Sequence, residues 1–133
     1  MEIIQGKIPG TEFPVNIIVE NGKIARIDPY QKGSSCDGGG AELYLCPGFF
    51  DPQVNGFAGV DFNSPHLTDE GFHQAGCSLA STGVTRFFPT LITSSHERMV
   101  RQLKILAKAL RNDPLLRKMC PGFHLEGPYI SPE

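Results

Sequence analysis

Two short runs place side chains capable of chemistry where a strand gives way to a turn. Asp51-Pro52-Gln53-Val54-Asn55-Gly56 carries two amides two positions apart, and His124-Leu125-Glu126-Gly127-Pro128 carries an imidazole and a carboxylate at the same spacing. In an extended strand, residues two apart lie on one face, so each run presents its polar pair together. A carboxylate is a hard anionic donor suited to a divalent cation, an imidazole can bind a metal or carry a proton, and an amide offers both a donor and an acceptor. Each also has a plainer use. Glu126 can pair or cap at a strand end, His124 between Phe123 and Leu125 can be a hydrogen-bonded core residue, and Gln53 and Asn55 can bond structurally.

The elements that must position these groups are legible in outline. Glu2 to Lys7, Val15 to Glu20 and Lys23 to Ile27 read as strands, and Asn21-Gly22 between the last two has the composition of a type I′ hairpin turn. Residues 31–40 are glycine-rich and polar, which predicts a surface loop. After Pro47-Gly48 the pattern changes to alternating strand and helix. Phe49 to Asn55 reads as a strand, Thr68 caps a helix running to about Ser81, and Val84 to Ile92 is the next strand. Ser94 with Glu97 reads as a capping box for a helix carrying Met99, Leu103, Leu106 and Leu110 on one stripe. Asp113-Pro114 closes that helix, and Gly122 to Glu126 is a further strand. Strands alternating with helices of this length predict βαβ units and a parallel sheet, an architecture that gathers functional groups at the C-terminal ends of its strands.

Composition bounds the partners. Twelve Lys and Arg against 14 Asp and Glu give a net charge of −2, without the basic footprint of a nucleic-acid binder. Seven of the 12 basic residues fall between Arg98 and Lys118, but Arg101, Lys104, Lys108 and Arg111 sit opposite the apolar stripe, as a solvated helix face requires. The first residues lack the basic and apolar regions of a secretory signal, and no apolar run approaches the length of a membrane span, so a cytoplasmic protein with no membrane or nucleic-acid partner is expected. Cys36, Cys46, Cys77 and Cys120 form no C-x-x-C pair and read as reduced packing residues rather than a zinc cluster. His66, His73 and His96 lack ligand spacing and read as surface residues. The glycines near Phe57 do not match a nucleotide-binding pattern.

Pro47-Gly48-Phe49-Phe50-Asp51 with Gln53-x-Asn55-Gly56, then Gly83-Val84-Thr85 with Pro89-Thr90, then His124-Leu125-Glu126-Gly127-Pro128, resembles in order the first third of the N-acetylglucosamine-6-phosphate deacetylase family of the amidohydrolase superfamily. The resemblance implies an α/β fold in which residues 47–133 form about the first three strands of a (β/α)8 TIM-type barrel, preceded over residues 1–46 by a small β-sandwich portion. Most amidohydrolases end the first barrel strand in H-x-H, which holds one metal of a binuclear pair. Gln53 and Asn55 stand there instead, so the resemblance points to the members that use one divalent metal ion, zinc or similar. It implies Glu126 as a ligand of that metal, with Gln53, Asn55, His124 and Gly127 lining or supporting the site.

The two remaining histidine ligands and the catalytic aspartate of the family are expected beyond residue 133. The implied reaction is hydrolysis of N-acetylglucosamine-6-phosphate to glucosamine-6-phosphate and acetate in amino-sugar catabolism. The implied partner is a phosphorylated amino sugar, and the full-length enzyme is expected to be a homodimer. With one ligand and no catalytic residue of its own, the 133-residue chain is expected to be inactive alone. The alternatives are another amidohydrolase, a cyclic amidase or deaminase, and a non-catalytic product that acts only through association.

Overall fold

The structure, a computed structural model, describes residues 1–127 and residue 129. The chain divides into two compact units, Met1–Pro47 and the residues from Gly48 onward.

The first unit is one four-stranded mixed sheet. Its strands are β1 (Glu2–Lys7), β2 (Pro14–Glu20), β3 (Lys23–Pro29) and β4 (Gly38–Tyr44), in the order β3-β2-β1-β4. The β1–β2 and β2–β3 pairs are antiparallel, whereas β1 and β4 run parallel. Asn21 and Gly22 both take positive φ, 52° and 71°, and join β2 to β3 as the hairpin predicts. At the centre the buried Gln5 and Asn16 sit directly opposite each other, and Gln5 Nε2 donates to Asn16 Oδ1 at 3.0 Å. A buried amide pair costs little only when it is bonded in this way. Phe13, Ile24, Ile27, Leu43 and Tyr44 remain exposed.

The surface loop predicted over residues 31–40 is shorter than its composition suggests, because Gly38, Gly39 and Gly40 already belong to β4. Gly39 has φ 82°, and a Cβ there would lie 2.1 Å from the carbonyl oxygen of Gln5. Only glycine allows this close approach, at a point where the β1–β4 register shifts. Glycine otherwise disfavours strands, so composition conceals this one.

The second unit carries β5 (Phe49–Val54), the two-residue strands β6 (Gly56–Phe57) and β7 (Val60–Asp61), α1 (Asp69–Ser81), β8 (Val84–Ile92), α2 (His96–Asn112), α3 (Pro114–Met119) and β9 (His124–Glu126). Its main sheet has the order β5-β8-β9 with every pair parallel, so the three strands end at one edge. Thr68 caps α1 by accepting from the Gly71 amide at 3.0 Å, and Asp69 and Glu70 follow in the first turn, where negative charge complements the helix dipole. Phe72, Ala75, Gly76 and Leu79 form the buried face of α1.

Phe62, Phe72 and Phe87 are fully buried and interlock, with ring centroids 5.0, 6.2 and 6.3 Å apart. Around them pack Leu79, Leu91, Leu106, Ala109 and Leu116 from strand and helices. The α2 stripe is present, with Leu106 and Ala109 buried and Leu103 and Leu110 against the core, while Arg101, Lys104, Lys108 and Arg111 are exposed.

Three local readings require correction. The cap of α2 is Ser95, which accepts from the Arg98 amide, and not Ser94 one residue earlier. Two adjacent serines compete for one cap, and the helix phase set by Leu106 and Ala109 decides between them. Asp113-Pro114 does more than stop α2. Asp113 Oδ1 accepts from the amides of Leu115 and Leu116 and starts α3, with Pro114 in the first turn where its missing N–H costs nothing. The cysteines are not a set of packing residues, since Cys36, Cys46 and Cys77 are exposed and only Cys120 is buried. Cys77 lies just off the buried face of α1.

Burial pushes the Cys120 thiol up to about 12, with the nearby Asp113 charge adding to the effect. A folded-state value above the unfolded one means that the buried thiol favours folding below about pH 9 and that this contribution is lost as pH rises toward 12. Iodoacetamide at pH 8.5 is therefore expected to label the three exposed cysteines of the native chain and spare Cys120 until the chain unfolds, as read by peptide mass mapping.

Candidate functional site

The parallel arrangement of β5, β8 and β9 brings the two polar runs of the sequence to one edge of the sheet. Gln53 is near the end of β5, Glu126 is the last residue of β9, and β8 lies between them. Across that gap, and 73 residues apart in sequence, Gln53 Nε2 donates to Glu126 Oε2 at 3.0 Å. A carboxylate can only accept, so the bond fixes which way the Gln53 amide faces and holds one oxygen of Glu126 in place. Among the described residues no hydrogen bond engages the other oxygen, Oε1. The strand end is secured from the β8 side as well, where Thr93 Oγ1 donates to the Glu126 carbonyl at 2.8 Å. Gly127 follows with φ 82°, and Pro128 of the recognised run lies outside the described residues.

Local sequence explains how Gln53 is placed. Pro52 follows Asp51, and the Asp51 Oδ1 accepts from the Gln53 amide at 3.1 Å, a carboxylate turn within the strand. The β5–β8 register shifts between Asp51 and Val54. The strand then ends at Val54, so the alternation of faces does not carry through to Asn55. Asn55 takes no part in the Gln53–Glu126 bond. Its carbonyl accepts from the Phe62 amide at 2.9 Å, and its side chain borders a cleft of about 640 Å³ that Asp51, Gln53 and Leu79 also line but Glu126 does not.

His124 is half-buried and opposite Thr90 in the β8–β9 register. Its Nδ1 lies 3.3 Å from Thr90 Oγ1, which donates to the Phe88 carbonyl at 3.1 Å. With the single hydroxyl proton spent on Phe88, the imidazole is the donor to Thr90.

The site also depends on residues that no spacing in the sequence identifies. Asn63 Nδ2 donates to the Thr90 carbonyl at 3.0 Å, and Asn63 Oδ1 accepts from the Ile92 amide at 2.9 Å. One side chain thus pairs with the end of β8 as a neighbouring strand would, past the point where β5 has ended. The loop that carries Asn63 is held from α2. The buried Gln102 Nε2 donates to the Phe62 carbonyl at 3.0 Å and the Ser64 carbonyl at 2.6 Å, and an Arg98 guanidinium nitrogen donates to the Asn63 carbonyl at 3.1 Å. In sequence, Asn63-Ser64-Pro65 reads only as a turn, and its partners lie 27 to 38 residues away. Asn63→Ala is expected to cost about 1 to 3 kcal/mol by stranding two backbone groups at the end of β8, measured as a shift in the urea midpoint. Asn63→Asp should recover little of this, because it keeps the acceptor for Ile92 but turns a second acceptor on the Thr90 carbonyl.

The described residues contain no group of three or more His, Cys, Asp or Glu side chains arranged to hold a metal ion. The arrangement can present one anionic oxygen, oriented by an amide, at the open edge of a parallel sheet. No helix among the described residues is long and apolar enough to cross a membrane.

No family model matches the chain. It is 40% identical over 101 residues to an N-acetylglucosamine-6-phosphate deacetylase of Caenorhabditis elegans, a match that takes in 72% of this chain and 22% of the relative. Its structure superposes on that of N-acetylglucosamine-6-phosphate deacetylase from Thermotoga maritima with a TM-score of 0.71 and 30% identity, covering 99% of this chain and 33% of that one. A variant of the Mycobacterium smegmatis enzyme, solved in complex with N-acetyl-D-glucosamine-6-phosphate, superposes with a TM-score of 0.76 at 25% identity, covering 98% and 33%. The chain therefore spans about a fifth to a third of the length of these relatives. Over that span it is similar in both sequence and fold to the N-acetylglucosamine-6-phosphate deacetylases.

Proposed function

We propose that this chain is the part of a metal-dependent amidohydrolase that supplies Glu126 to a single divalent metal ion, in an enzyme that hydrolyses N-acetylglucosamine-6-phosphate to glucosamine-6-phosphate and acetate. The observation that carries the reading is the Gln53–Glu126 bond at the C-terminal edge of the parallel sheet. It joins the two polar runs on which the family resemblance rests. In this reading β5, β8 and β9, with α1 to α3, are the opening strands and helices of a (β/α)8 barrel, and the first unit is one layer of a small β-sandwich. The open edges of the three-stranded sheet and the exposed Phe49, Phe50, Ile92 and Leu125 support an incomplete barrel, because such groups are normally paired or covered.

The donor chemistry fits a hard divalent ion in part. Glu126 contributes an anionic oxygen with Oε1 unengaged among the described residues, whereas the Gln53 and Asn55 amides are neutral and weaker donors. A catalytic site needs about three protein ligands, so the remaining ligands come from residues other than those described. When bound, the ion supplies polarisation of the acetamide carbonyl and a lowered pKa for the attacking water. The chain's own part is positional. Gln53 holds the Glu126 carboxylate in one orientation, Thr93 anchors the strand end behind it, and Asn63 keeps the end of β8 from fraying. His124 and Gly127 border the ligand position without serving as ligands. The substrate is a phosphorylated amino sugar, and the assembled enzyme is a cytoplasmic homodimer.

The test is a chimera in which this sequence replaces the matching third of a solved deacetylase, with acetate release from N-acetylglucosamine-6-phosphate measured against hydrolysis of a cyclic amide. Acetate release with no cyclic-amide hydrolysis is expected. A folded, metal-loaded chimera that opens the cyclic amide and leaves the acetamide intact would overturn the substrate class.

A further inference from the structure

On the outer side of the second unit, α1 and the α2–α3 junction bring together a thiol, an imidazole and a carboxylate that the proposed site does not use. His73 and Cys77 are one helical turn apart on α1, a spacing that makes side chains neighbours. Cys77 Sγ lies 3.3 Å from His73 Nε2, and His73 Nδ1 is bonded to Asp113 Oδ2. Asp113 is fixed independently, because its other oxygen caps α3 through the Leu115 and Leu116 amides.

The protonation pattern follows from these contacts. Burial opposes the Asp113 charge, but the hydrogen bonds from His73, Leu116 and Leu115 outweigh it and hold the carboxyl below the ordinary range. An ionised carboxylate accepts only, so Nδ1 donates to Asp113 and the ring is held with Nε2 facing the thiol. A nucleophile, a base and a carboxylate that orients the base are the parts by which a thiol is activated. The cleft beside His73 is lined by Asp69, Glu70 and Asp113, with Lys108 of α2 paired to Asp69 at 3.6 Å.

We propose that Cys77, His73 and Asp113 form a thiol-activating relay that makes Cys77 a site of exchange with small disulfides. Cys77 passes its proton to His73 Nε2, and the thiolate attacks one sulfur of the disulfide. The S–S bond breaks as the new one forms, and the departing thiolate takes the proton back from His73. One thiol and one disulfide give a mixed disulfide and one thiol, with no other oxidant. Cys77 is exposed, the His73 side chain is half exposed, and an entering disulfide has access to both.

The chain contains its own references, since Cys36 and Cys46 are also exposed and neither has a hydrogen-bonded histidine among the described residues. The experiment treats the whole chain with 4,4′-dithiodipyridine, a neutral disulfide, from pH 5 to pH 8, reading thiopyridone release and assigning sites by peptide mapping. At pH 6, Cys77 is expected to react about tenfold or more faster than Cys36 and Cys46, because His73 Nε2 stands within reach to take its proton as the sulfur attacks. In His73→Gln this advantage should vanish, and in Asp113→Asn, which keeps an oxygen to cap α3 but loses the carboxylate that orients His73, it should shrink. Protection of Cys120 reports that each variant is folded. Equal rates at all three exposed cysteines of the wild-type chain would overturn the proposal without any variant, as would a fast Cys77 that His73→Gln leaves unchanged.

Discussion

Glu126→Gln is expected to lower acetate release by the assembled enzyme about a thousandfold or more, and to lower metal occupancy with it. A bound ion contributes several kcal/mol of transition-state stabilisation, and each 1.4 kcal/mol or so is a factor of ten in rate. The substitution keeps the size of the side chain but removes its charge, so what is lost is ligation and not packing. Gln53→Ala separates holding from ligating. It leaves the carboxylate in place and removes the bond that orients it, which is expected to cost about 10- to 100-fold in metal affinity or activity. Gln53→Glu should also be impaired, since it replaces the donor to Glu126 with a second acceptor. Metal content by elemental analysis beside kcat and KM checks all three. Equal losses for Gln53→Ala and Glu126→Gln would mean that the amide is itself a ligand.

Phe87→Ala is expected to destabilise the second unit by about 3 to 5 kcal/mol, the usual range for emptying a buried phenylalanine site. Phe87 is fully buried against Phe62 and Phe72, and these neighbours come from a loop and a helix that cannot both move in to fill the space. That loss is a large part of the 5 to 15 kcal/mol by which domains are ordinarily stable. Phe49→Ala is the paired control, because Phe49 is 64% exposed and truncating it should change the urea midpoint by less than about 0.5 kcal/mol. A cost below 1 kcal/mol at Phe87 would show that the aromatic trio is not packed as described.

The sequence is legible where local chemistry and the burial period agree. The Asn21-Gly22 turn, the Thr68 cap and the Leu103–Leu106–Leu110 stripe each follow from side chains within one turn of one another. It is illegible where a distant partner decides. Gly39 belongs to a strand because the backbone of Gln5 passes within reach of its Cα, and glycine composition alone points the other way. Helix α3 is too short for a period to register. At the site, strand–helix alternation accounts for both polar runs lying at one edge of a parallel sheet, while the Gln53–Glu126 bond depends on the strand registers. Alternation does not account for Asn63, because its role depends on where β5 ends relative to β8. Cys77 reads in sequence as a packing residue and His73 as a surface residue, and the carboxylate that joins them arrives from 40 residues away.

The central claim is that Glu126 binds a metal, and it is tested most directly by anomalous X-ray scattering from a crystal of the zinc-loaded chimera. A peak within about 2.0 to 2.2 Å of a Glu126 carboxylate oxygen, with Gln53 still bonded to the other oxygen, is the expected result. A bound zinc ion that no atom of Glu126 touches would contradict the account.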